Sequence, residues 1–227
     1  MVDKGQLLER PVVIPSAGIC LDGIYLRGAG STPLLVASPL PGSGGSMASP
    51  IGNELAYAAA YAGCASLRLD YAGVGASEGE PSGDVSDAAA NLSLGLDFLL
   101  ETTGAEAAAA AGIGSGAFAA LELARRDERI DRLVLVAPPW EEAGEDQTLP
   151  VDLPRPTLLV VAGDEPGFDY AREEARAAAL HVRLEVLRAT RSFRAALAEL
   201  ARLVPPFLGA ERPERPDELG PRRGRLF

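Results

Sequence analysis

The sequence predicts an α/β fold, with a mainly parallel central sheet of about eight strands and helices on both faces. Three observations carry that expectation. Short β-branched or Leu-rich runs alternate with longer helical stretches along the 227 residues. Apolar residues reach 47% with only 5% aromatic, and Ala and Leu dominate them, which suits many close helix-on-sheet contacts and few large anchors. The length fits one domain whose core needs neither disulfide nor structural metal.

Taken in order, strands are expected from Arg10 to Ile14, Ile19 to Leu26, Pro33 to Ala37 and Ala65 to Leu69, then from Ala107 to Ile113, Leu133 to Val136, Thr157 to Ala162 and Val182 to Leu187. Helices fill the gaps from Ile51 to Ala62, Val85 to Leu100, Gly116 to Arg125, Tyr170 to Ala179 and Phe193 to Leu203. One segment sets local propensity against context. Glu106 to Ala111 is nearly all alanine, which favours helix, yet its place in the alternation asks for a strand; a helix from Ala105 to Ala111 is the competing assignment. The segment APPWEEAGEDQTLPVDLPRP, starting at Ala137, is Pro-rich, acidic and too irregular for a lid domain, so any pocket is expected to be open. Residues 1–208 form the expected domain. Residues 209–227, rich in proline and mixed charge, read as a tail, and its end (Arg222, Arg223, Arg225, Leu226, Phe227) reads as solvated rather than docked.

The formal net charge of −11 disfavours long-range attraction to nucleic acid or anionic lipid, and only the tail gathers arginines. No run approaches the roughly 20 apolar residues needed to cross a bilayer, and the N-terminus lacks a cleavable signal pattern; a soluble cytoplasmic protein is expected, with no membrane and no nucleic-acid partner. Cys20 and Cys64 are each expected inside a strand and read as small buried hydrophobes. With one histidine and two cysteines, no metal site and no cofactor is expected. PGSGGSM lacks the lysine of a phosphate-binding loop, and GIGSGA is not a full dinucleotide fingerprint.

Three motifs carry a resemblance. LRLDYAGVGASEGE (67–80) is similar to the strand and loop of small lidless bacterial α/β-hydrolases, with Ala72 where the similar stretch has arginine; Asp70 and Ser77 then satisfy backbone groups in the turn. SPLPGSGGSM (38–47) resembles the His-Pro-His-Pro and Gly-Gly loop beside the oxyanion hole, with Ser38 and Leu40 in place of the histidines. GIGSGAFAALELA, from Gly112, resembles the Gly-x-Ser-x-Gly nucleophile elbow. The chain is thereby identified as similar to the α/β-hydrolase superfamily, dienelactone hydrolase and serine aminopeptidase-like, and also to hydrolase-like proteins associated with bacterial exosortase systems.

The resemblance implies a degenerate triad. The elbow apex falls on Gly114, which has no attacking atom, and Ser115 is one place late, where it is expected to turn toward the following helix and cap its amides. The acid position in VVAGDEPGFDY falls on Pro166, with Asp164 and Glu165 nearby, and the histidine position in RATRSFRAAL falls on Ser192. His181 is expected at the far edge of the sheet from the elbow, out of reach as a base. No catalytic residue is therefore expected. The leading reading is a pseudo-hydrolase, a binding or assembly module whose partner is another protein (an active hydrolase paralogue or a second copy). The alternatives are a divergent esterase acting on a small ester or thioester through Ser115 or Asp164, and a small-molecule binder using a cleft lined by Leu40, Gly42, Gly114 and Trp140.

Overall fold

The computed structural model describes residues 7–16, 18–30, 32–140 and 156–210. Chain order is β1 (Arg10–Pro15), β2 (Cys20–Leu26), β3 (Leu34–Ala37), α1 (Pro50–Tyr61), β4 (Ser66–Leu69), α2 (Val85–Thr103), β5 (Ala108–Ile113), α3 (Gly116–Arg126), β6 (Ile130–Val136), β7 (Thr157–Ala162), α4 (Tyr170–Ala179), β8 (Arg183–Leu187) and α5 (Leu197–Phe207). A 3-10 turn over Pro41–Ser43 lies between β3 and α1. The eight strands form one sheet in the order β1-β2-β4-β3-β5-β6-β7-β8. β2 is antiparallel to both β1 and β4, and every other neighbouring pair is parallel.

Both faces of this sheet are covered, which is what parallel strands require. On one face Leu35, Leu67, Ala110 and Leu135 pack with Leu92 and Leu96 of α2 and with α3. On the other, Leu34, Val36, Ala111 and Val134 pack with Leu55 of α1 and with Leu200 and Val204 of α5. The alternation follows from the period of two in a strand.

The alanine run resolves as strand. All six residues of β5 are buried, alternating between the two core layers, and the strand is hydrogen-bonded to β3 on one side and β6 on the other. Two ladders outweigh an intrinsic preference worth only a few tenths of a kcal/mol per residue.

Two boundaries differ from expectation. The last helix starts at Leu197 rather than Phe193, because Phe193 sits at a φ of +49° in a turn closed by its amide on the Thr190 carbonyl, with its ring fully buried. It continues through Pro205 and Pro206, which fall in its final turns. Cys64 precedes β4 rather than lying within it and is buried, and burial pushes its thiol pKa up. The domain boundary expected at 208 falls where the description nears its end: Leu208 is packed in the core, whereas residues 211–227, with the tail arginines, lie outside the described residues, as do residues 141–155 of the Pro-rich segment. Among the described residues no helix is long and apolar enough to cross a membrane.

Candidate functional site

The tops of the parallel strands converge on the turn between β5 and α3. Its three glycines are there for different reasons. A Cβ on Gly112 would stand 2.4 Å from Ala117 Cα, and one on Gly116 would stand 2.1 Å from the Ser38 carbonyl oxygen, so both glycines are steric necessities of helix and loop crowding the strand. Gly114 is a conformational one. Its φ is +52°, its amide donates to the Val136 carbonyl at 2.9 Å, and a Cβ there would meet nothing closer than Pro39 Cγ at 3.9 Å. The turn thus presents a bare Cα at its apex with room above it.

Ser115 does not cap the helix. It occupies the N-cap of α3 with helical backbone angles, φ −62° and ψ −22°, and makes no side-chain cap bond, because those angles turn its hydroxyl away from the amides of the first turn. Instead Ser115 Oγ accepts the Leu40 amide proton at 2.9 Å and lies 3.1 Å from Ser43 Oγ. In an elbow of this kind, the amide after the apex and one from the loop after β3 are the groups that hold an oxyanion. Here the Leu40 amide, in the loop after β3, is engaged by the chain's own Ser115 hydroxyl.

The loop after β3 is held rigidly. Tyr71, fully shielded so that its phenol pKa is driven up, donates from its hydroxyl to the Ser38 carbonyl at 2.9 Å. Ser38 Oγ is buried without a hydrogen-bond partner among the described residues. Asp70 accepts the Met47 amide at 2.7 Å, while Arg68 Nε donates to the Met47 carbonyl at 3.1 Å. Burial raises the Asp70 pKa, the Met47 bond opposes that shift and the nearby Asp22 adds to it. Ser77 Oγ donates to the Asp70 carbonyl and accepts the Asp22 amide, each at 2.8 Å, which is the backbone role expected of it. Asp70 bonds the loop after β3 rather than its own turn.

The loops that follow β7 and β8, which carry Pro166 and Ser192, are hydrogen-bonded to each other. Pro166 and Asp164 are exposed, with the Asp164 amide bonded to the Ala189 carbonyl at 3.0 Å. Glu165 is the carboxylate that reaches the last loop, accepting the Arg191 amide on Oε1. Ser192, also exposed, has only a hydroxyl to offer, 3.1 Å from Thr190 Oγ1. His181 is exposed in a positive-φ turn (+54°) ahead of β8. The elbow follows the end of β5, so His181 lies at the opposite end of the parallel strands and three strands away, roughly 20 Å off.

Trp140 lines a half-open cleft of about 80 Å³, but not with Leu40, Gly42 or Gly114 as expected. Leu40 is buried in the core. The cleft lies farther along the sheet, between the ends of β6 and β7 and the first turns of α4, with Pro138, Phe168, Arg172, Glu173 and Arg176 in its walls. Phe118 packs edge-on against the Trp140 ring at 5.7 Å, and the Arg176 guanidinium lies 5.6 Å from the ring centroid. Sequence reasoning missed Ser43, Glu173 and Arg176. Glu173 was legible in principle: it shares with Ala177 the inward face of α4, four residues apart.

No protein-family model and no curated protein sequence matches the chain. Solved structures do. An alpha-beta serine hydrolase homologue from Coxiella burnetii matches with a TM-score of 0.74 and 21% identity over 86% of this chain and 95% of that one. A putative alpha/beta hydrolase from Agrobacterium tumefaciens matches at 0.76 and 20%, over 88% and 95%. The chain has the α/β-hydrolase fold. An a/b serine hydrolase without a lid, from Xanthomonas campestris, matches at 0.74 and 19% over 92% and 97% of the two chains. In this fold the turn at Gly114 joins the fifth strand to the helix that follows it, and the loops bearing Pro166 and Ser192 are those after the seventh and eighth strands.

Proposed function

We propose that this chain is a pseudo-hydrolase, an α/β-hydrolase scaffold kept for binding or assembly rather than acyl transfer. The observation that supports it best is the Ser115 hydroxyl seated on the Leu40 amide beneath an apex that is glycine. An alcohol becomes a competent nucleophile when a base takes its proton, and Ser115 has a second hydroxyl, Ser43, beside it. The one imidazole is at the other end of the strands. The partner under this reading is another protein or a small ligand held in the Trp140 cleft.

The test is turnover. Purified protein is expected to hydrolyse p-nitrophenyl acetate no faster than an equal amount of a noncatalytic protein. A rate well above that level, abolished by Ser115→Ala, overturns the reading.

One observation favours the second reading, a divergent esterase: Ser115 faces the loop after β3 and not the helix. Labelling of Ser115 by a fluorophosphonate probe, located by mass spectrometry, supports that alternative, and an unlabelled serine removes it.

A further inference from the structure

The geometry points to the Trp140 cleft as a binding site for a small carboxylate bearing a secondary amide, of the N-acyl amino acid class. This deepens the binding reading above and rests on it. Two buried polar atoms of residues lining the cleft have no hydrogen-bond partner among the described residues: Trp140 Nε1, which only donates, and Glu173 Oε2, a carboxyl oxygen that can accept. Glu173 is only 5% exposed; its Oε1 is paired with Arg176 and Arg172, while its Oε2 is held out of water. Groups in that condition are nearly always satisfied in folded proteins. One ligand group answers both, since a secondary amide has an N–H for Glu173 and a carbonyl for Trp140.

The charge around them sets the rest of the ligand. Three arginines and two glutamates line the cleft, a local excess of one positive charge in a chain whose net charge is −11. Arg176 is fixed by a bond from Nη1 to Glu173 Oε1 at 2.5 Å and by the Trp140 face, which leaves another edge of its five-donor fork for an anion. A carboxylate on that edge places the adjoining amide against the indole. The apolar side of the cleft, Pro138, Ala162 and Phe168, receives the acyl group.

Calorimetric titration of the full chain with N-acetylglycinate, and with its uncharged N-methyl amide, tests this. Saturable binding of the carboxylate is expected, at least tenfold tighter than the amide, with a matching change in the emission of Trp140, the chain's only tryptophan. Trp140→Phe keeps an aromatic face but removes the pyrrole half of the indole with its N–H, and Glu173→Gln replaces the carboxyl with a neutral amide; each is expected to weaken binding at least tenfold. Circular dichroism and melting check the fold, and if Glu173→Gln does not fold, Trp140→Phe decides. Absence of saturable heat with the parent, equal affinity for the neutral amide, or unchanged affinity in a folded Trp140→Phe overturns the assignment. Ester turnover measured on the same sample separates the two ideas: missing binding without turnover sinks this inference alone, whereas turnover lost in Ser115→Ala sinks the reading beneath it.

Discussion

Ser115 and Leu40 are 75 residues apart in sequence and joined by one hydrogen bond of 2.9 Å, from the Leu40 amide to the Ser115 hydroxyl. The bond ties the elbow to the loop after β3. Leu40 is only 6% exposed, so its amide has little access to water once the hydroxyl is gone.

Ser115→Ala is therefore expected to cost about 1–2 kcal/mol, the price of an orphaned buried donor, and to lower Tm by a few degrees. Thermal melting followed by circular dichroism measures it. A Tm equal to the parent's means that the loop relaxes and the bond carries no stability.

The elbow glycines are expected to separate sharply by mutation. Gly112→Ala and Gly116→Ala drive a Cβ into backbone at 2.4 and 2.1 Å and are expected to destabilise by roughly 3 kcal/mol or more, or to abolish folding. Gly114→Ala meets open space and only the strain of a positive φ, about 1 kcal/mol. Urea unfolding of the three variants reads the contrast, and equal losses at all three positions contradict it.

The empty space above Gly114 also invites reconstruction. Gly114→Ser restores an attacking oxygen, Ser192→His places an imidazole next to the residue whose amide Glu165 accepts, and Ser115→Ala frees the Leu40 donor. Because triad members act as a unit, each single change is expected to leave p-nitrophenyl acetate turnover at the parent level, and the triple variant to exceed it by about tenfold or more. A triple variant no faster than its parents means that the three loops no longer hold triad distances.

Asp70 gives a pH signature. Its pKa is raised in the folded state, chiefly by burial, so the native protein holds that proton more tightly than the unfolded chain does. The associated stability is present below the ordinary aspartate value and is lost as pH rises through the folded one. Asp70→Asn preserves an acceptor for the Met47 amide and removes the ionisation. Its Tm relative to the parent is thus expected to be more favourable at pH 7 than at pH 4. A difference independent of pH, or one of opposite sign, refutes this.

The fold was legible because it depends on periodicities confined to short windows. The strands around Leu34, Leu67 and Leu158 and the helices around Leu55 and Leu92 declare themselves through apolar spacing, and even the alanine strand was recoverable from its place in the alternation. What the sequence did not reveal depends on distant contacts. The Ser115 hydroxyl is aimed by an amide in a loop that precedes it in the chain by α1, α2 and two strands, and no property of GIGSGA encodes that. Phe193 looks like the start of an apolar helix face, yet it is a plug whose backbone turns with a positive φ before α5 begins. The Trp140 cleft likewise exists only once α4 has docked beside the ends of β6 and β7.

The first four residues of β5, Ala108 to Ala111, are sealed between two helical layers on side chains of one carbon each. That stretch has no slack: enlarging any of the four alanines pushes a helix. New capabilities on this framework must then be written in the turns at the strand tops, where atoms can be exchanged without moving the beams beneath them.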